Sequence, residues 1–370
     1  MPFSPVVLNK SDLHCFPGTY ALAQSRWLEG LAANIDLVKQ HLKFPVQGFQ
    51  GPQLEALMTR VAWLGNEDAG KVLVLITGTH GVEGHAGSAV QIDLWGLIEQ
   101  RKVTLPEDIA ILMVHPLNPF GYAWGRRCDE QGIDLNRNFI DFTQPLPHSD
   151  GYALLQPELK LARTPAQRHK LFQQFARDHG QRAFERALSG GQYIDPQGPF
   201  FGGYEPAHGR QVITNIIERF QLDKRLLAVV DVHTGLGPYG HGELICDHPL
   251  DSRGSAQAQA WYGASVTMPA RGDSSSVPKL GLMDYVWHAL MEQRGCFVTL
   301  EFGTYGTDSL FDVLLQEHHD WANEGLLTID HPSTVAMREH FCPSDAYWRE
   351  LVLVKARQVI QQALAGLAAH

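Results

Sequence analysis

Apolar residues recur at near-helical spacing over residues 20–44, at Ala23, Trp27, Leu31, Ile35, Val38 and Leu42, and predict an amphipathic helix near the N-terminus. Short aliphatic runs follow at 61–64, 71–77 (KVLVLIT) and 109–114 (IAILMV). Their β-branched content and short length are those of strands buried on both faces. Between the last two, Val90, Leu94, Leu97 and Ile98 mark a helix over 88–100. Strand, helix, strand in that order predicts a βαβ unit and a largely parallel sheet. The buried-strand pattern returns at 226–232 (LLAVVDV) and 296–300 (CFVTL), each run ending at a polar residue followed shortly by glycine. Reactive groups at strand ends are the usual site architecture of open α/β sheets.

The segment 142–222 breaks this pattern. Proline, glutamine and arginine are frequent, a helical stretch covers 167–188, and GPFFGGYEP is glycine-rich, which predicts an insertion over the strand ends. Residues 346–367 are again helical, and no fixed-period repeat is present. The expectation is therefore one α/β domain over 1–370: a mixed, largely parallel central sheet flanked by helices. It carries an N-terminal helical extension over about 1–60, the insertion at about 142–222 and a C-terminal helix at about 346–367.

Composition narrows the partners. Hydrophobic residues make up 44% of the chain and charged residues 19%, ordinary for a globular protein with a sizeable core. Forty acidic against thirty basic side chains leave a net charge of −10, with no lysine- or arginine-rich run to neutralise a phosphate backbone. Nucleic acid is not an expected partner. The opening MPFSPVVLNKSDLHCF has neither a basic region nor a continuous apolar one, and no stretch is long and apolar enough for a membrane span. A cytoplasmic location is expected. Cys15, Cys128, Cys246, Cys296 and Cys342 are scattered, odd in number and never in C-x-x-C, so neither a disulfide framework nor a cysteine metal site is predicted.

Three constellations carry chemistry. In Thr79-His80-Gly81-Val82-Glu83-Gly84, directly after KVLVLIT, an imidazole and a carboxylate stand three residues apart at a strand end, a spacing able to bring both to one metal. A lone H-x-x-E arises readily by chance, and the third ligand must come from elsewhere. His233, in Asp231-Val232-His233-Thr234-Gly235, is the best candidate because it too sits where a buried strand opens into glycine. The glycines do not make a phosphate loop: no G-K-[ST] follows and no strict G-x-G-x-x-G is present. In Asp134-Leu135-Asn136-Arg137-Asn138-Phe139, an arginine beside an asparagine offers a planar fork of donors suited to a carboxylate. In Thr299-Leu300-Glu301-Phe302-Gly303, an acid ends an apolar strand, a costly placement without a task. His85 could approach the metal or a second ion, but is expected instead to stand behind the ligands or to face solvent.

Read in order, GTHGVEG, NPFGYAWGRRCDEQGIDLNRNF, DVHTG and TLEFG resemble the zinc carboxypeptidase superfamily, which also includes the aspartoacylase and succinylglutamate desuccinylase branch. GTHGVEGHAGSAVQ and EFGTYG are most similar to a bacterial carboxypeptidase-like family of unassigned function. The resemblance spans about residues 61–305. It implies a phosphorylase/hydrolase-type fold and a single Zn2+ ion held by His80, Glu83 and His233, sites of this donor set also accepting cobalt, nickel or manganese. It further implies Glu301 as general base, Asn136 and Arg137 as the grip on a substrate carboxylate, and Asp134 as the acid behind His80. Asp231 is expected to support His233. An arginine that stabilises the oxyanion falls on Arg127, with the adjacent Arg126 as the alternative and as a further substrate contact. A substrate-binding tyrosine falls on Tyr305 or Tyr285.

The implied activity is metal-dependent hydrolysis of an amide bond next to a free carboxylate, on a small peptide. An alternative keeps the same machinery and takes N-acyl amino acids. A third reading is a metal-free binding protein of the same fold.

Overall fold

A computed structural model describes residues 8, 10–162, 164–291 and 294–370. The expectations drawn from the first residues of the chain lie largely outside the described part.

The sheet has eight strands: β1 Val38–Gln50, β2 Ala56–Leu64, β3 Lys71–Thr77, β4 Ile109–His115, β5 Leu226–Gly235, β6 Gly242–Ile245, β7 Val266–Thr267 and β8 Gly295–Gly303. Their spatial order is β1-β2-β4-β3-β5-β8-β6-β7. The centre, β4-β3-β5-β8, is parallel throughout, whereas β1, β2 and β6 pair antiparallel. Helices cover both faces, so the expected mixed α/β architecture is the one observed. Alternate residues of β5 serve opposite faces: Ala228, Val230 and Val232 join the core under the C-terminal helix, Leu227 and Val229 the core on the other side.

The same alternation positions the chemistry. Asp231 and His233 continue the Leu227 and Val229 face, and Thr299 and Glu301 continue the Phe297 face of β8, so each strand turns from apolar to polar at its carboxyl end. After β3 the chain crosses to β4 on one side, while β5 lies on the other. Carboxyl ends on either side of such a reversal diverge and leave a crevice, where ligands of open α/β sheets bind.

Three expectations on elements need correction. The helix expected over 20–44 spans only Tyr20–Ala33, capped by the Thr19 side chain and ended at Asn34. The N-terminal region is accordingly not helical throughout, because β1 and β2 lie within it. Val38, Leu42 and Phe44 belong instead to edge strand β1, where Pro45 is tolerated because its missing N–H breaks no central ladder. The helical stretch expected over 167–188 is two helices, Pro165–His179 and Gln181–Ser189, separated by Gly180 at φ 94°, a conformation that side chains with a Cβ rarely adopt. The C-terminal helix runs Ala346–Ala368 as expected, and the Trp348 indole donates to the Gly303 carbonyl at 2.9 Å, pinning the end of β8. Among the described residues no helix is long and apolar enough to cross a membrane.

Candidate active site

His80 and Glu83 lie on the turn just past β3, and His233 lies near the end of β5. All three are buried. The turn is close-packed: Gly81 donates to the Arg127 carbonyl at 3.1 Å and Val82 to that of Arg126 at 2.8 Å, and a Cβ on Gly81 would stand 2.1 Å from the Gly121 carbonyl carbon. Only glycine allows that approach.

The three side chains converge. His80 Nδ1 is 2.9 Å from Glu83 Oε1, His233 Nδ1 is 3.1 Å from Glu83 Oε2, and the two Nδ1 atoms are 3.1 Å apart. Zinc bonds near 2.0–2.1 Å in a tetrahedral arrangement place neighbouring donors roughly 3.3 Å apart. The observed separations fit such an ion, which would take a lone pair from each imidazole. Against the upward push of burial, His80 and His233 hold the Glu83 carboxyl well below its usual range. Burial alone would depress His233, but Asp231 and Glu83 raise it well above an ordinary imidazole.

Each imidazole is backed by a second acid. His233 Nε2 is 2.6 Å from Asp231 Oδ2, and Asp231 also accepts from the Thr79 hydroxyl at 2.9 Å. His80 Nε2 is 3.2 Å from Asp134 Oδ1, close enough for an ion pair although not aligned as a hydrogen bond. Asp134 caps the turn Leu135–Arg137 and accepts from Arg127 Nε at 3.0 Å. Burial pushes its carboxyl up, but Arg127, Arg137 and His80 hold it well below the usual range.

Glu301 is the strand partner of His233 in the parallel β5–β8 register, and its Oε1 accepts from the Leu236 N–H at 2.9 Å. Burial and the Glu83 charge push its carboxyl up to about 7. Glu301, the three converging residues, Arg127, Asn136 and Arg137 line one cavity of about 880 Å³, mouth included. Glu185, Ser189 and Phe200, from the segment expected to be an insertion, form part of its wall.

Of the two adjacent arginines, Arg127 faces this cavity, with NH1 3.4 Å from Glu83 Oε1. Arg126 does not: it turns to the opposite side, pairs with Glu317 at 2.6 Å and lies 4.1 Å from the Trp321 ring. Tyr305 is also outside, 48% exposed and donating to Glu339 at 3.0 Å, and Tyr285 donates to the Lys279 carbonyl at 2.8 Å. Arg126 and Tyr305, expected at the site, are thus not among the residues that line this cavity. His85 is remote from the cluster, its Nδ1 3.2 Å from the Pro17 carbonyl and its ring against Tyr122.

The sequence reading missed Lys279, Asp247 and Asp284, which line the same cavity. Register would have suggested one of them: Glu243 pairs with Glu301 and Ile245 with Thr299 in the β6–β8 ladder, so Asp247 lies two pleats further down the same face.

Fold and cluster together define a mixed α/β protein whose buried His–Glu–His group, at the carboxyl ends of adjacent parallel strands, is able to hold a metal ion. The chain belongs to the family described as Protein of unknown function (DUF2817), whose sequence model matches residues 16–355. No curated protein matches it. Among solved structures it is similar to carboxypeptidase A from Helicoverpa armigera (15% identity, TM-score 0.47, covering 94% of this chain and 73% of that one). It is similar too to the murein-tripeptide amidase MpaA from Escherichia coli O157 (15%, TM-score 0.37, 92% and 100%). A third likeness is to an aspartoacylase family protein from Mesorhizobium loti (15%, TM-score 0.37, 76% and 66%).

Proposed function

We propose that this chain is a metal-dependent hydrolase that cleaves an amide bond next to a free carboxylate, acting as one hydrolase domain on a small peptide or an N-acyl amino acid. The observation that carries the reading is the meeting of two imidazoles and one carboxylate at a common point, beside an acid on the neighbouring strand. His80, Glu83 and His233 would hold the ion, Zn2+ or another divalent transition metal. When bound, it would supply Lewis acidity to a carbonyl and to water.

The chain's own residues do the rest. Glu301, fixed by the Leu236 N–H and poised near neutrality, accepts a proton from water and returns it to the leaving nitrogen. Arg127 offers N–H donors to the carbonyl oxygen as negative charge develops there. Asn136 and Arg137 receive the free carboxylate. Asp231 and Asp134 hold the two imidazoles in place. Part of the wall is one apolar cluster, with Phe200, Leu310, Phe311 and Leu314, and the cavity it bounds favours a small substrate. The five cysteines are unpaired thiols, in keeping with the reducing cytoplasm.

Replacing Glu301 by Gln is expected to leave metal content unchanged and to reduce turnover by about 10²–10⁴-fold. Unchanged turnover refutes the assignment. Parallel assays on free peptides, C-terminally blocked peptides and N-acyl amino acids separate the two substrate classes. Protein purified without a stoichiometric divalent ion favours the non-catalytic reading.

A further inference from the structure

Arg137 and Lys279 are cations of the same cavity, and neither forms a salt bridge among the described residues. Arg137 donates through Nε (3.2 Å) and NH2 (2.8 Å) to the Ser189 carbonyl and through NH1 to that of Asn136. A guanidinium has five N–H groups, so donors remain. Lys279 Nζ donates to Ser276 Oγ and, at 3.0 Å, to the Val277 carbonyl, which leaves its third proton. Asn136 uses its carbonyl oxygen to accept from the Met283 N–H at 2.8 Å, which leaves its amide N–H groups as donors.

These donors are held together by one stretch of chain, residues 274–283. At its far end the Leu280 N–H donates to the Gly190 carbonyl at 2.8 Å, and the Gly281 carbonyl accepts from the Phe139 N–H at 3.1 Å. A Cβ on Gly191 would lie 2.7 Å from Arg137 Cδ and 3.4 Å from the Leu280 oxygen, so the arginine stem and the segment bearing Lys279 meet at that glycine. At the near end, Glu243 accepts from Ser274 Oγ at 2.8 Å, from the Ser275 N–H at 3.1 Å, and from the hydroxyls of Ser275 and Thr267. Glu243 is the strand partner of Glu301, so the segment is tied to the proposed general base at one end and to Asn136 at the other. Burial first, then the Arg137 charge, pushes the Lys279 ammonium down; Asp247 and Glu301 oppose this, and Arg127 adds to it. Asp247 and Asp284 line the same cavity, but burial holds both carboxyls above their usual range, so they offset the two cations only in part and a bound carboxylate would complete the balance.

We propose that Lys279 is a substrate-binding residue: the free carboxylate of the substrate lies between its ammonium and the Arg137 guanidinium, with the Asn136 amide as a further donor. This rests on the hydrolase reading and adds a residue to it. A second charge-assisted hydrogen bond, worth about 1.5–3 kcal/mol, corresponds to roughly 10- to 150-fold in affinity.

The test uses full-length wild type, Lys279→Met and Lys279→Arg. Free L-amino acids, N-acetyl amino acids and the matching amines without the carboxylate are titrated in calorimetry. Wild type is expected to bind the carboxylates and Lys279→Met to bind them at least about tenfold more weakly, while Lys279→Arg recovers part of the loss and the amines are unaffected. In turnover, the methionine variant is expected to raise KM on free-acid substrates far more than it lowers kcat. Equal carboxylate affinity in wild type and Lys279→Met overturns the proposal. So does a loss shared by carboxylates and amines, failure of wild type to bind any carboxylate of the panel, or an arginine variant no better than the methionine one. The binding arm does not need catalysis: absence of turnover by metal-loaded wild type on every substrate of the panel would sink the hydrolase reading while leaving a carboxylate-specific loss at Lys279 standing.

Discussion

His233 joins both shells of the cluster through one ring: Nδ1 faces Glu83 and His80, and Nε2 meets Asp231 at 2.6 Å. Asp231→Asn keeps the size of the side chain but removes the charge that orients this ring. A 10- to 100-fold loss of zinc affinity is expected, of the order found for such supporting partners, read by chelator competition with thermal stability as control. Gly81→Ala should be more severe, because its Cβ meets the Gly121 backbone, not a flexible side chain. The turn carrying His80 and Glu83 must shift, and the expected outcome is less than stoichiometric bound metal together with a lowered Tm. The sequence made His80, Glu83, His233 and Glu301 legible because each follows or ends an apolar run, and a reactive group there has few structural uses. It could not settle Arg127 against the adjacent Arg126, since both lie in an irregular stretch with no periodicity and their facing is set by the packing of Arg126 against Trp321 and Glu317. Lys279 was invisible for another reason. Its segment has no periodicity, and its role follows from a contact between residues 147 apart in sequence, Met283 and Asn136.

Among the elements, β3 and β4 were read almost to the residue because burial on both faces leaves an uninterrupted aliphatic signature, whereas β5 and β8 run three residues past their expected ends, through the polar positions of the site. The edge was misread. Val38 and Leu42 satisfy a helical spacing as well as a strand, and only pairing with β2 decides between them. Gly180 divides two helices whose apolar residues run on without a visible break, so φ and not hydrophobicity set that boundary. The C-terminal helix was legible in extent but not in purpose, since nothing in its own sequence says that Trp348 reaches Gly303, two residues beyond Glu301. Trp348→Phe keeps most of the buried ring and removes the N–H. A stability loss of about 1 kcal/mol is expected from that hydrogen bond, with further loss from the smaller ring, read by denaturant unfolding.

For the whole molecule, buried imidazoles set the response to acid. Burial pushes His85, His248, His318 and His340 down to about 4 and His115 and His288 to about 3. These groups are neutral in the fold but take up a proton near pH 6.5 when unfolded. Their contribution is therefore fully present above about pH 6.5 and is lost as pH falls from there toward 3–4, at up to about 1.4 kcal/mol per unit for each fully buried group. Carboxyls raised in the fold, Asp129 to about 8 and Glu301 to about 7, act in the opposite sense over the same range, so the imidazole share is read by difference: His288→Gln is expected to flatten the fall of the unfolding midpoint between pH 6.5 and 4 relative to wild type, and an unchanged slope contradicts this account. Metal acts in the same balance: removing an ion held at about a thousand times its Kd is expected to lower stability by about 4 kcal/mol, seen as a fall in Tm on adding chelator.

His233 and Glu301 face each other across a single rung of parallel ladder, so main-chain hydrogen bonds, and not side-chain packing, set the spacing between the proposed ligand and the proposed proton acceptor. Slippage by one position would turn one of them to the opposite face while leaving both cores apolar and a compact molecule behind. Misannealed material of that kind would pass as folded by size and helix content, and its failure to capture a divalent ion would be the trait that gives it away.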